Sequence, residues 1–468
     1  MNDLNIGLRG SGDVPNREPN EGLAQLLDEA RWTYKQLALN VNRVGAERGL
    51  LLSYDESAVK HWLNGAMPRK PVRPAVVEAL ARRIGRPITH EEAGLGASPI
   101  LSGSEVAPEH ALISIEGLVD TGRADMDPSR RAVLTTALYS ATLAVPRFDD
   151  ADETLDRLEH QAAGRTVRIG PGDVAVVRSM TDKIADILDE LGGAHARPMA
   201  AAFIVNSVSS YLRADGSETV KNDMRAAASD LVYLTGWMAM YEKAHGLGQR
   251  YYRQALGLAK AGGDEVTYCR TLRGMALQAA NLKHANKALE LADSAAGAAP
   301  QSGPRLQAFL RGQQAHGAAL VGDRRQAHTR LRETEAALSQ ADNRRDAIGG
   351  YDRAAYEFHV SSVLYALGDV PGSIEAMKAS NRARPPMEKQ GNAHANGLLA
   401  QRQLEIGHLE AACATWHVFL DDYEQLSSAR ADEHFGTMRR SIARYRTNPK
   451  VRELDERARE LARQKAAA

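Results

Sequence analysis

Beyond about residue 172 one spacing recurs, and it constrains the fold of this 468-residue chain more than any other feature. A turn position, a small residue five places on and a larger apolar residue four further recur as Lys243, Gly248, Tyr252; Ala276, Asn281, Ala285; Gly322, Ala327, Leu331; Gly368, Ser373, Met377; and Gly407, Ala412, Trp416. The turns stand 33, 46, 46 and 39 residues apart. A period of that size belongs to a pair of helices that buries its apolar face by stacking on the next pair, the unit of an α-solenoid. The small residue lets the two helices of a pair approach, and the large one plugs the neighbouring pair. About five pairs with a helical cap on each side are expected, an unrelated helical bundle being the alternative. Aromatic residues make up only 5% of the chain while alanine and arginine abound, a mixture that suits helices packed on small side chains rather than sheets. The expected fold class is all-α: a small helix-turn-helix domain followed by a helical solenoid.

Composition divides the chain into four segments. Residues 1–20, rich in Asn, Gly, Pro and charge, read as a disordered arm, and 21–95 as a compact helical head. Residues 96–171 read as linker and connecting helices, opening with GASPILSGSEVAPEH, and 172–468 as the array. Within the third segment, residues 129–146 carry Arg130-Arg131 ahead of an apolar run and look like a twin-arginine export signal. Such a signal acts only at an exposed N-terminus, so a buried or linker helix is the preferred reading, a relic signal or a membrane-proximal helix the alternative. The amino end has no apolar signal core and no stretch reaches 18 apolar residues, so neither secretion nor membrane spanning is expected. Cys269 and Cys413 lie outside any C-x-x-C motif, which speaks against a disulfide framework or a structural zinc and fits a reducing cytoplasm.

The head carries the pattern with a mechanism. Thr33-Tyr-Lys-Gln-Leu-Ala38 begins one short helix, and Asp55-Glu-Ser-Ala-Val-Lys-His-Trp-Leu-Asn-Gly65 forms another, followed by Pro68-Arg-Lys-Pro71. Thr33 and Asp55 suit N-caps, and Gly65 suits the position after a helix end. In the second helix Val59, Trp62 and Leu63 recur at three- and four-residue spacing and face inward, leaving Glu56, Ser57, Lys60, His61 and Asn64 outward. The major groove of DNA accepts a helix of this kind, because its base edges present donors and acceptors that Ser, Lys and His read. Lys plus Arg (59) equals Asp plus Glu (59) over the chain, yet residues 21–90 hold 11 basic against 7 acidic residues, a net of +4. A basic head on an acidic body suits nucleic-acid binding by the head, a solvated basic face being the alternative.

On these residues the head resembles the lambda-repressor-like, or XRE-type, helix-turn-helix family, SAVKHWLNGAMPRKP matching its recognition helix and the loop after it. The resemblance implies base contacts from Glu56, Ser57 and His61, with Lys60 on the same face. It implies phosphate contacts from Tyr34, Lys35, Asn64, Arg69 and Lys70. The link from Asn42 to Tyr54 departs from the family, being far longer than its tight turn. WMAMYEKAHGLGQRYYRQALGLAKAGGD, ALVGDRRQAHTRL and ALGDVPGSIEAM resemble tetratricopeptide repeats. The whole layout is similar to a streptomycete family of regulators that joins such a head to such a body and includes repressors of development and antibiotic production. DESAVKHWLNGAMPRKPVRPAVVEAL, GRPITHEEAGL and DELGGAHARP carry that similarity.

A tetratricopeptide body lines its concave face with the first helix of each pair, and polar residues on those expected helices are Asn206, Ser210, Tyr233, Arg270, Arg273, Arg311, Gln314, Tyr356, His359 and Asn396. They suit a peptide, a small molecule or a partner protein, unless the groove serves self-association alone. Gly192-Gly-Ala-His195-Ala-Arg197-Pro198 reads either as a binding loop or as a turn between two helices. No Walker A, G-x-S-x-G or H-E-x-x-H motif occurs, His408 and His417 lack metal-ligand spacing, and the acid pairs Asp149-Asp150 and Asp421-Asp422 read as solvated, so no enzyme, cofactor or metal is expected. The expected function is a cytoplasmic, homodimeric transcription regulator that binds double-stranded DNA. A scaffold that binds only proteins is the alternative.

Overall fold

The computed structural model describes residues 19–47, 50, 52–86, 88–96, 114–127, 139–141, 168–298, 303–341 and 351–467. The arm before residue 19, the linker run 97–110, most of the twin-arginine-like segment and Asp149-Asp150 lie outside them. The described residues are all-α apart from an isolated bridge between Arg168 and Asp215. Contacts divide the chain into two compact units, Met1–Glu105 and Val106–Ala468.

The first unit holds α1 (Glu21–Ala30), α2 (Tyr34–Glu47), α3 (Glu56–Leu63) and α4 (Arg73–Ile84). Leu23, Leu26, Leu27 and Ala30 of α1 and Leu37, Ala38, Val41 and Val44 of α2 form buried stripes at helical spacing. Thr33 and Gln36 make the reciprocal bonds of a capping box, Thr33 N–H donating to Gln36 Oε1 at 2.8 Å and Gln36 N–H to Thr33 Oγ1 at 3.3 Å. Asp55 caps α3, accepting from the amides of Ser57 and Ala58, and Gly65 ends it at φ 85°. The link between α2 and α3 is shorter than the sequence suggested, because Val41 and Val44 carry the buried stripe of α2 on to Glu47. Asn42 then clamps the link: its Nδ2 donates to Tyr54 O at 2.7 Å and its Oδ1 accepts from Tyr54 N–H at 2.9 Å. Tyr54 in turn meets the Trp62 ring edge to face, 5.0 Å between centroids.

Asn20, placed by composition in the disordered arm, is instead a junction of the head. Its Oδ1 accepts from Leu23 N–H at 2.9 Å to cap α1, its Nδ2 donates to Ala93 O and Gly94 O, and its own amide donates to Leu63 O at 2.8 Å. Asn20→Ala is expected to destabilise the head by about 2 kcal/mol, the loss of one cap and two side-chain bonds. Hydrogen exchange of the α1 amides in the full chain measures it.

The second unit begins with α5 (Ile115–Met126), α6 (Pro171–Leu191) and α7 (Gly193–Phe203), the last prolonged by a π-helical turn, Ile204–Val208, and the turn Ser209–Leu212. Five helical hairpins follow: α8 (Glu218–Tyr241) with α9 (His245–Ala261), α10 (Glu265–Asn281) with α11 (Ala285–Ala298), α12 (Pro304–Leu320) with α13 (Arg324–Gln340), α14 (Arg353–Ala366) with α15 (Val370–Ala383), and α16 (Lys389–Glu405) with α17 (Leu409–Tyr423). Helices α18 (Ala429–Ile442) and α19 (Pro449–Ala467) end this α-solenoid. Each hairpin turns through a left-handed residue: Lys243, Lys283, Gly322, Gly368 and Gly407, with φ between 59° and 86°.

The second turn is therefore Lys283 and not Ala276, which sits inside α10, while Ala285 is the first residue of α11. The corrected turns are 40, 39, 46 and 39 residues apart. Lys283 holds the left-handed conformation in place of a glycine, at a cost on the order of 1 kcal/mol, and an alanine, Ala292, stands where a large residue was sought. The small residue five places after each turn, Gly248, Ala288, Ala327, Ser373 or Ala412, is buried in every pair. At Gly248 a Cβ would lie 3.1 Å from Gly236 O, which is the close helix approach the spacing implied.

Helix α5, from the segment read as linker and connecting helices, is anchored in the array by a buried polar cluster. Asp125, fully buried, pairs with Arg197 of α7 and accepts from Tyr251 Oη of α9 at 3.2 Å. Gln254 Nε2 donates to Thr121 Oγ1 at 3.1 Å. The far end of the array returns to its start. Ser427 N–H donates to Leu191 O at 2.8 Å, Ala194 N–H donates to Ser427 O at 3.2 Å, and Lys243 pairs with Glu433 at 2.9 Å. Gly192 permits the approach, since at φ 94° its Cβ would stand 2.4 Å from Ser427 O. The Gly192–Pro198 run is thus the junction of α6 and α7, its Ala194 amide and Arg197 side chain already bonded.

Candidate nucleic-acid interface

The outer surface of the head is built on α2, α3 and the link to α4. On α3, Val59 and Trp62 are buried and Leu63 half-buried, so Glu56, Ser57, Lys60, His61 and Asn64 all face solvent. Arg69 and Lys70 follow in the link, both exposed. Tyr34, 44% exposed, and Lys35 begin α2, two turns ahead of the Asn42 clamp. Lys35, Leu39 and Arg43 then share an exposed stripe of α2 at four-residue spacing, Leu39 being 58% exposed. Arg43 was not singled out from sequence, although this spacing places it beside Lys35 on one face.

The head spends part of its positive charge internally. Arg73 donates to Pro68 O and Leu95 O, and Arg83 to Ala30 O. Arg82 pairs with Glu78, and Arg86 with Glu29 and Glu92. Arg31, Lys35, Arg43, Lys60, Arg69 and Lys70 make no ion pair among the described residues. The charge available to a partner is therefore concentrated on the faces that carry α3 and its flanks. The Ala58 amide and the Ser57 hydroxyl hold the Asp55 carboxyl below the usual carboxylate range. Ser57 Oγ–H donates to Asp55 Oδ1 at 2.8 Å, so this hydroxyl has given its proton and offers only lone pairs outward.

In the array, all of the residues expected along a concave face except Asn206 and Ser210 stand on the first helices of the hairpins, where they bond to one another or to neighbouring side chains. Arg273 lies over the rings of Trp237 and Phe309, 5.0 and 4.0 Å from their centroids, and donates to Tyr233 Oη at 3.3 Å. Arg270 stacks on Tyr233 and pairs with Asp230 at 2.8 Å. Tyr351 Oη meets His359 Nδ1 at 2.9 Å, beside Phe309. Arg311 donates to Gln314 Oε1 and Gln314 to Asp293 Oδ1, each at 2.7 Å. Asn396 Oδ1 accepts from Asn381 at 2.7 Å, and Tyr356 lies under the Arg353 guanidinium. Asn206 and Ser210 are exposed on the prolongation of α7 and make no hydrogen bond to that set among the described residues. A chain of cation and ring contacts thus runs from α8 through α10 and α12 to α14, and these side chains are mostly buried.

Histidines deeper in this face give the array an acid sensitivity. His394 Nδ1 lies 2.9 Å from His434 Nε2, and Gln401 Nε2 lies 2.9 Å from His434 Nδ1. Burial, then the positive charge of Arg430, pushes His434 down to about 4 and His394 well below its ordinary value. His245 and His316 are likewise held at about 4 by burial. The folded array keeps these rings neutral while the unfolded chain protonates near pH 6.5, so their contribution is complete above that pH and declines as pH falls toward 4. Between pH 7 and pH 5 each such histidine is expected to remove on the order of 1–2 kcal/mol, read as a shift in the urea midpoint. Glu242 works in the opposite sense: burial raises it to about 7, so its contribution is lost as pH rises through that value.

Among the described residues no group of three or more His, Cys, Asp or Glu side chains is arranged to hold a metal. Cys269 and Cys413 are both buried and unpaired, and burial pushes the Cys269 thiol up to about 12. No described helix is long and apolar enough to cross a membrane. A family model described as the SP15 N-terminal domain matches residues 23–96, the head from α1 to the turn after α4. No curated protein matches the chain.

Proposed function

We propose that this chain is a DNA-binding transcription regulator whose head reads a duplex through α3 and whose array dimerises it and receives a signal. One observation carries the reading: a short capped helix presents Glu56, Ser57, Lys60 and His61 together on its solvent face, flanked by cations that make no ion pair among the described residues. In this reading Lys60 and His61 donate to base edges. Ser57, its proton committed to Asp55, accepts from an exocyclic amine, N6 of adenine or N4 of cytosine. Lys35, Arg43, Arg69 and Lys70 lie on phosphates, with Tyr34 and Asn64 completing the backbone contacts. Two heads on a dimer would meet half-sites about one helical turn, roughly 34 Å, apart. The resemblance to streptomycete regulators supports repression of developmental or secondary-metabolism genes, and a genome-binding role would place the protein in the cytoplasm. No catalytic step belongs to this reading.

Salt dependence tests it against the protein-binding scaffold. Four cations on phosphates predict that log K against log salt falls with a slope of about −4. A shallow slope, or no duplex binding at 50 mM salt, would favour the scaffold.

A further inference from the structure

Helix α18 stands at the seam where the array returns to its start. Its entry and first turns bond across that seam: Ser427 to Leu191 and Ala194, the Ala429 amide to Glu242 Oε2 at 3.3 Å, and Glu433 to Lys243. The Arg430 guanidinium lies over the Tyr241 ring, 4.4 Å from its centroid. The same helix lies close on α16, since a Cβ at Gly397 would stand 2.6 Å from His434 Cγ.

Two imidazoles fill that close contact. His434 is buried, and both of its ring nitrogens are engaged, Nδ1 with Gln401 Nε2 and Nε2 with His394 Nδ1, each 2.9 Å away. With the Gln401 amide donating to Nδ1, the His434 proton sits on Nε2 and is donated to His394 Nδ1. Phe358 of α14 lies beside His394 and Phe419 of α17 beside His434, with ring centroids 5.7 and 6.2 Å away. A further proton on either accepting nitrogen would face an N–H group. Its charge would also stand among Arg430 of α18, Arg402 of α16 and Arg384, just after α15. The acids of α18 on this stretch are already engaged, Asp432 by Tyr423 Oη at 2.7 Å and Glu433 by Lys243.

We propose that protonation of the His394–His434 pair releases α18 from α16 and unlatches the seam, so that acid opens the array at its closure before the hairpins unfold. Burial and the neighbouring guanidinium groups hold His434 at about 4 and His394 well below its ordinary value while latched, whereas a released ring returns toward 6.5. The latch is therefore at full strength above the released value and loses it as pH falls toward the latched one. Glu242, raised to about 7 by burial, gains a proton over the same interval and offsets part of this loss.

Hydrogen exchange of the full chain at pH 7 and pH 5, corrected for the intrinsic pH dependence of the amides, reads the latch. Opening of the α18 amides should rise about tenfold at the lower pH. That of the α11 amides, on a helix without histidine, should rise by less than about twofold. His394→Gln with His434→Gln keeps hydrogen-bonding groups that do not titrate, and should abolish the rise in α18. Circular dichroism at pH 7 checks that this double variant is folded; where it is not, the comparison of α18 with α11 in the parent protein decides alone. An equal rise in both helices, which is acid unfolding of the whole array, or an undiminished rise in the folded double variant, overturns the inference.

Discussion

Arg69→Ala combined with Lys70→Ala is expected to lower the affinity of the protein for every duplex about equally, by roughly ten- to a hundredfold at physiological salt, and to reduce the salt slope by about 2. Both residues are exposed in the link after α3 and make no ion pair, so their removal leaves no buried charge and no cavity. Ser57→Ala combined with His61→Ala predicts the complementary result. Affinity for non-cognate duplex should hold while preference for the cognate sequence shrinks by about 1–3 kcal/mol per lost base contact. The two double variants therefore separate holding from reading, and titrations at several salt concentrations resolve both. If the link variant changes preference and the α3 variant changes only affinity, the roles are exchanged. If neither changes binding, α3 does not face DNA.

Asp125→Ala is expected to have the largest effect on the stability of the array, a loss of roughly 3–5 kcal/mol, because it strands the buried Arg197 guanidinium without its counter-charge. Tyr251 also loses its acceptor. Asp125→Asn keeps the shape and removes the charge, so it should recover little. Asp125→Leu with Arg197→Met removes both charges together and should restore most of the loss, since apolar packing replaces a buried pair at small cost. Urea denaturation of the three variants beside the parent protein measures these differences. A single substitution costing less than about 1 kcal/mol would mean that α5 is not held by this pair.

The features legible in the sequence were those set by local chemistry. Thr33, Asp55 and Gly65 marked helix ends because capping and left-handed turns depend on residues within three or four positions. The inward set Val59 and Trp62 followed from helical periodicity, and the outward set of α3 with it. What escaped depends on contacts far along the chain. Asn20 looks like arm composition until its bonds to residues 63, 93 and 94 are seen. Lys283 turns a hairpin without glycine because packing of α10 and α11 offsets its backbone strain, and the repeat register slipped there. Asn42 clamps the α2–α3 link through bonds to a residue twelve positions away. The expected groove residues illustrate the same limit: polarity and helix position were readable, but the stacking of Arg273 on Trp237 and Phe309 joins three helices and has no local signature.

The central claim is that the exposed face of α3 reads base sequence, and selection from a randomised duplex library by the full chain tests it most directly. The protein should enrich a recurrent motif, and the variant carrying Lys60→Ala and His61→Ala should retain duplex binding while losing that motif. Enrichment of no motif, or of the same motif by both proteins, would contradict the assignment of α3 as the reading helix.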